Sequence, residues 1–251
     1  MAFSRFRKNY WMIGYFVSLL LILILVATRF FDQLTFIVPF SWLVSGRIKF
    51  AVLAVAVTVG LTTPISRLPR RLEKLTTSIL MAIVVSYFSV LPFLMPALMK
   101  GHLSNLKTRM GINGLCYQTT DYTCGPAAAV TALRQLGLPA DEGQIAILAR
   151  TSPIAGTMPY CLYSALKNRY GRDGLQCRYR YFDSVEQLRS VGLTLAVVKD
   201  EFLSDHCVAV LNVTDKTVKL ADPTLGLILV THEQFEKMWR FRGITLKRNP
   251  S

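Results

Sequence analysis

The first hundred residues contain three long apolar runs, and no run of that kind follows them. Residues 11–27 are apolar except for Gly14, Tyr15 and Ser18, residues 49–66 form a second run, and residues 76–98 form the longest. A helix that crosses a bilayer needs about 20 mostly apolar residues, so each run predicts a spanning helix. A core helix of a soluble protein is the alternative for any one of them, and three without an internal charge speak against it. The first run reads as an uncleaved anchor, not a signal peptide, because no small-x-small site closes it and further apolar runs follow. Phe30 to Val44 is apolar and aromatic too, but Asp32, Gln33 and Pro39 interrupt it and suit a segment lying at the membrane interface. If it spans as well, the count becomes four.

Beyond a polar linker at residues 101–111, the pattern over residues 112–251 is that of alternating helices and strands with ordinary polar faces. After Cys124 the run PAAAVTALRQLG puts Pro126 in a first helical turn and Gly137 just past the last, as helices prefer. A second helix follows Asp141, a suitable N-cap, and a third covers Met158 to Tyr170 with Gly171 at its end. The period then changes to two. Leu175–Phe182, Leu193–Lys199, Cys207–Val213, Thr217–Ala221, Leu227–Val230 and Ile244–Lys247 predict strands. A short helix after Asp183 interrupts them, as does another opened by Thr231, with Gln234 three residues on as in a capping box. Helices followed by a sheet make an α+β domain, preceded here by an all-α transmembrane region over residues 1–100.

Charge sharpens this division. The net charge is +14 and could suggest nucleic acid, but residues 1–110 hold 13 of the 29 basic residues against only Asp32 and Glu73. Residues 111–251 are nearly balanced, with 16 basic and 13 acidic residues. The excess therefore flanks the apolar runs: Arg5, Arg7 and Lys8 precede the first, and Arg67, Arg70, Arg71 and Lys74 lie between the second and third. That is the pattern of cytoplasmic anchors, not of nucleic-acid binding. Three spans with the N-terminus inside place the C-terminal domain on the extracytoplasmic side of a bacterial-type membrane; four place it in the cytoplasm.

The five cysteines, at 116, 124, 161, 177 and 207, leave the compartment open, since an odd number leaves at least one thiol unpaired. Their spacing fits no zinc pattern, and with three histidines in the chain no metal or other cofactor is implied. Cys124 stands apart because it opens a helix, where backbone N–H dipoles stabilise a thiolate. A nucleophile also needs a base. His102 lies by the membrane and His232 in a helix-opening turn, whereas His206 begins the strand HCVAVLNV. Asp222 ends the next strand, and a hairpin turn at Asp215–Lys216 brings the start of one strand beside the end of the other. Asp222 can then orient the His206 imidazole, and His206 can pair with the thiolate and later protonate the leaving amine. Gln118, six residues before Cys124, can join the Cys124 amide as an oxyanion donor.

Together these residues resemble the bacteriocin-processing cysteine peptidases, which remove leader peptides after a double-glycine site. The resemblance covers about residues 112–248 and rests on QTTDYTCGPAAA with Gln118 and Cys124, Gly156-Thr157 before a helix, and His206 in HCVAVL. Asp222-Pro223 followed by Gly226, and the Glu-Gln-Phe helix with Trp239, complete it. It implies a papain-like fold, the catalytic set Cys124, His206, Asp222 and Gln118, a peptide or protein substrate, and a transporter or secretion partner. Thr123 stands where the family often has Asp. The membrane part precedes the peptidase, and the chain contains no GxxxxGK[ST] loop, so it is not expected to be a self-sufficient ATP-driven exporter. The same chemistry with an amine acceptor would give a transpeptidase or acyltransferase, and a cleft without turnover would give a peptide-binding module.

Overall fold

The computed structural model describes residues 12–40, 48–65, 68–200 and 205–249, and the chain divides into two units, Met1–Met95 and Pro96–Ser251. The basic cluster Arg5, Arg7 and Lys8, together with Arg67 and residues 41–44, lies outside the described residues.

The first unit is built from α1 (Ile13–Phe30), a 3-10 turn (Asp32–Phe36), α2 (Ile48–Ile65), α3 (Arg71–Val85) and a π-helical turn (Ser86–Val90) leading into α4 (Leu91–Leu98). Its burial is inverted relative to a water-soluble bundle. Ser18, Thr28 and Thr63 are buried, while Phe16, Leu20, Leu23, Leu80 and Ile83 are each more than half exposed. The buried hydroxyls are satisfied within their own helices: Ser18 Oγ donates to the Gly14 carbonyl (3.0 Å) and Thr63 Oγ1 to that of Val59 (2.6 Å). Gly14 lies against Thr63 and Gly60 against Ser18, so that small residues let α1 and α2 approach closely.

Of the three expected spanning helices, one described helix, α2, is long and apolar enough to cross a membrane. A second exists only if α3 and α4, bent by 49° at their junction, count as one span. The reason for the bend is local. Pro92 has no N–H to give to the preceding turn, and its ring needs room there, which the widened π turn at Ser86–Val90 supplies. In α1 the apolar stretch covers only Ile13–Thr28.

The second unit begins with α5 (Lys100–Ser104) and a two-stranded ribbon, β1 (Arg109–Met110) with β2 (Cys116–Tyr117). Within residues 101–111, a linker by sequence, the Leu103 side chain is fully buried. Three helices follow, α6 (Cys124–Gln135), α7 (Glu142–Leu148) and α8 (Pro159–Tyr170). The rest is β3 (Leu175–Tyr181), α9 (Glu186–Val191), β4 (Thr194–Lys199), β5 (Asp205–Val213), β6 (Thr217–Asp222), β7 (Gly226–Thr231), α10 (His232–Met238) and β8 (Trp239–Arg248). The six strands form one antiparallel sheet in the order β3-β8-β4-β5-β6-β7.

Local signals largely explain these elements. Asp141 caps α7 by accepting the Gln144 N–H at 3.0 Å, and Thr231 with Gln234 forms the capping box of α10. Gly171 is the C-cap of α8, as expected; a separate 3-10 turn then runs to Asp173, and Gly174, at φ 82°, makes the left-handed stop. The last strand starts five residues earlier than its apolar pattern suggests, because Arg240 and Arg242 alternate with Trp239 and Phe241.

The sheet is covered on both faces. On one, Ala128, Leu133, Leu162 and Leu166 from the helices meet Leu195, Ala209 and Ile244 from the strands. On the other, Phe182, Leu188, Phe235 and Trp239 pack on Val198, Val208 and Leu220. Trp239, one of the residues behind the family resemblance, is fully buried in this second core and stacks on Phe241 at 5.0 Å between ring centroids.

Candidate active site

Cys124 is the first residue of α6 and is half-buried. The glycine after it answers to a close approach: a Cβ at Gly125 would lie 3.0 Å from the Thr157 Cβ and 3.4 Å from Leu162 Cδ2. Thr157 in turn places its Oγ1 2.7 Å from Thr151 Oγ1 and donates at 3.5 Å to the Tyr122 carbonyl, just ahead of Cys124. Gly156, at φ 59°, provides the turn that aims Thr157 there. The Cys-Gly and Gly-Thr pairs are therefore two sides of one contact.

Across from the thiol, β5 and β6 pair with Ala209 opposite Ala221 and Val210 opposite Leu220. That register carries His206 to Asp222, and His206 Nε2 lies 3.0 Å from Asp222 Oδ1. An ionised carboxylate can only accept, so Nε2 carries the hydrogen and Nδ1 is left for sulfur. The same Oδ1 accepts the backbone N–H groups of Thr224 (2.7 Å) and Leu225 (3.1 Å). Burial favours the neutral acid, but the hydrogen bond from His206 and those from the backbone outweigh it and hold Asp222 below the usual carboxylate range. For His206, burial pulls the pKa down; the hydrogen bonds to Asp222 and to the Cys124 sulfur, with their negative charges, raise it to about 10.

Gln118 leaves β2 toward the same place. Its backbone N–H donates at 3.0 Å to the carbonyl of Pro223, the residue after Asp222, so the candidate oxyanion donor and the orienting acid are tied together through one peptide group. The side-chain Oε1 of Gln118 is buried with no hydrogen-bond partner among the described residues. Gly226, at φ 88°, closes the turn after Asp222 and leaves room for Tyr117, whose hydroxyl would be 2.8 Å from a Cβ there.

Thr123, the departure from the family pattern, is buried and braces the loop before Cys124. Its Oγ1 donates to the Thr120 carbonyl (3.0 Å) and accepts the Thr120 N–H (3.2 Å). The other candidates are accounted for elsewhere. His232 Nε2 is 2.9 Å from the Thr214 carbonyl, and no disulfide joins any of the five cysteines. Burial pushes the Cys116 thiol up to about 12 and that of Cys177 to about 11. Burial also pushes the Cys207 thiol up, with the negative charges of Cys124 and Asp222 adding to it. Among the described residues no cluster of three or more His, Cys, Asp or Glu could hold a metal ion.

With that geometry in hand, the comparison with known families is decisive: the sequence model of the Peptidase C39 family matches residues 113–251. The chain belongs to the peptidase C39 family. Its second unit is a papain-like α+β C39 domain. Two uncharacterized proteins are similar to it, one from Methanothermobacter marburgensis (28% identical over 144 residues, 57% of this chain and 95% of that protein). The other is from Methanothermobacter thermautotrophicus (30% over 143 residues, 57% and 94%). Among solved structures, the peptidase domain of Streptococcus ComA, a bifunctional ABC transporter involved in quorum sensing, is 20% identical. It covers 53% of this chain and 96% of its own, with a TM-score of 0.45. A double glycine motif protease from an AMS/PCAT transporter, in complex with the leader peptide, is 16% identical over 57% and 93%, with a TM-score of 0.45.

Sequence reasoning missed one polar residue of this C39 domain. Glu142 is fully buried in the first turn of α7, and its Oε1 accepts both the backbone N–H (2.9 Å) and the hydroxyl (3.0 Å) of Thr119. Directly after an N-cap, an acid reads as a solvated group facing the helix dipole; nothing local announces that it is buried.

Proposed function

We propose that this chain is a membrane-anchored cysteine peptidase that hydrolyses a peptide bond in a peptide or protein substrate, with leader-peptide processing as the reaction suggested by its family. The observation that carries this reading is the 3.0 Å contact between His206 Nε2 and Asp222 Oδ1, which leaves the other ring nitrogen for Cys124 at the start of its helix. In this scheme the Cys124 thiolate attacks the scissile carbonyl. The resulting oxyanion is met by the Cys124 N–H and the Gln118 side-chain amide. His206 passes its proton to the leaving amine, and a thioester remains on Cys124. Water, deprotonated by His206, then releases the acid and restores the thiol.

Alkylation tests the nucleophile. Brief treatment of the full-length protein with iodoacetamide near neutral pH should modify Cys124 well before Cys116, Cys177 or Cys207, whose thiols burial has pushed up. Peptide mass spectrometry reads the order, and equal labelling of Cys124 and Cys207 would count against an activated thiol.

Membrane anchoring is supported by α2 and by the apolar exterior and hydroxyl-bearing interior of the first unit. With spans at 11–27, 49–66 and 76–98 and the basic flanks inside, the peptidase domain faces the extracytoplasmic side. Protease added to intact cells should then digest the domain while the membrane is still sealed. Protection until lysis would instead indicate an even number of spans, whether two or, with a fourth through Phe30 to Val44, four.

A further inference from the structure

We propose that the segment leading into the peptidase domain, Leu103–Thr108, acts as a strut that holds the oxyanion loop in place, with Glu142 as the positioning residue. This rests on the reading of Gln118 as an oxyanion donor. The segment precedes residue 113, where the C39 family match begins.

Each joint of the strut is specific. Leu103 is fully buried, and its carbonyl presses on Gly143 so closely that a Cβ there has no room. Thr108 fastens the same helix turn twice: its Oγ1 donates to Asp141 Oδ2 at 2.6 Å and accepts the Glu142 N–H at 3.0 Å. The first turn of α7 is thereby held by a chain segment remote in sequence as well as by its own cap. From that turn the Glu142 carboxylate reaches the loop between β2 and α6. It binds Thr119 through both backbone and side chain, with a single oxygen accepting the two hydrogen bonds.

Thr119 follows Gln118 directly. Gln118 itself is held from the other side by its backbone bond to Pro223. The donor loop is thus clamped between the turn after Asp222 and the first turn of α7, and the second clamp is buried. Burying a carboxyl group is costly unless it is hydrogen-bonded, and here both hydrogen bonds go to the oxyanion loop, since Oε1 accepts from Thr119 twice and Oε2 has no partner among the described residues. A polar side chain retained in the interior for one loop points to a requirement for fixed geometry. Displacing a catalytic group by about 1 Å can cost on the order of a hundredfold in rate.

A double-mutant cycle on the full-length protein tests this. Glu142→Leu should lower kcat by roughly tenfold to a hundredfold and leave KM within about twofold, because the donor acts on the tetrahedral intermediate and not on the bound substrate. Glu142→Gln, whose Oε1 can accept the same two bonds, should restore most of the loss. In a Gln118→Ala background, with the donor already gone, Glu142→Leu should have little further effect. Equal fold-losses in the two backgrounds would overturn the proposal and leave Glu142 a stability residue. Thr108→Val, on the partly exposed side of the strut, keeps the carboxylate and provides the same cycle if Glu142→Leu fails to fold. It should give a smaller kcat loss that also vanishes without Gln118. A wild-type protein that cleaves no peptide would instead strike the peptidase reading itself.

Discussion

Cys124→Ala should reduce turnover of a peptide substrate by about 10⁶-fold in kcat, the scale seen when the nucleophile of a catalytic set that acts as a unit is removed. Binding should survive, since the cleft is unchanged, so the variant should hold substrate without cleaving it. The substitution has a second, independent consequence at His206. Part of the rise in that imidazole's pKa, to about 10, comes from its hydrogen bond to the Cys124 sulfur and from the charge there. Without the sulfur the pKa should fall, which NMR titration of His206 would show directly. The effect on stability follows with a definite sign. A pKa raised in the folded state contributes stability that is complete below about pH 6.5, the ordinary imidazole value. That contribution disappears as pH climbs through the folded value of about 10. Undiminished turnover in the variant would remove Cys124 from the chemistry altogether.

Much of the site could be read from sequence because its parts are local signals joined by simple geometry. A helix beginning at Cys124 follows from Pro126 and Gly137. The meeting of His206 with Asp222 follows from two strands of known register joined by a short turn. What could not be read is what holds these parts from outside. Gln118 is fixed by a bond to the Pro223 carbonyl, a loop-to-loop contact with no periodic trace in the sequence. Glu142 looks like any acid in a first helical turn until the chain from residue 103 to 108 is seen to bury that turn. The short ribbon of β1 and β2 has only two residues a strand, too few for a period.

The first unit shows the opposite limit. Composition finds apolar runs easily, but whether a run makes one straight helix depends on single residues within it. Pro92, next to the π turn, divides the longest run into two segments at 49°. Hydropathy averages over such a residue; backbone hydrogen bonding does not. The inverted burial in this unit, with Ser18, Thr28 and Thr63 inside and Phe16 and Leu20 outside, lies equally beyond composition, because it depends on which faces α1 and α2 turn to each other.

Asp222→Ala and Asp222→Asn should differ by about a hundredfold to a thousandfold in kcat, and the reason lies in which oxygen Asp222 uses. All three of its hydrogen bonds, from His206 Nε2, Thr224 N and Leu225 N, converge on Oδ1. In Asp222→Asn the two backbone N–H groups force the amide to present its own Oδ1 to them, since an NH₂ there would face two donors. The oxygen thus stays turned toward His206, the Nε2–H tautomer is kept, and Nδ1 remains available for sulfur. What is lost is the negative charge that helps keep the imidazolium protonated, so a fall of about tenfold is expected. Asp222→Ala removes the acceptor itself. His206 loses its orientation, kcat should fall about 10³- to 10⁴-fold, and the turn at Thr224 and Leu225 loses bonds worth ~1 kcal/mol each. Comparing kcat for the two variants, with thermal unfolding of each as a control for folding, separates orientation from charge. An Asn variant as inactive as the Ala variant would mean that charge at position 222 sustains the reaction, with orientation of the ring supplied by other groups.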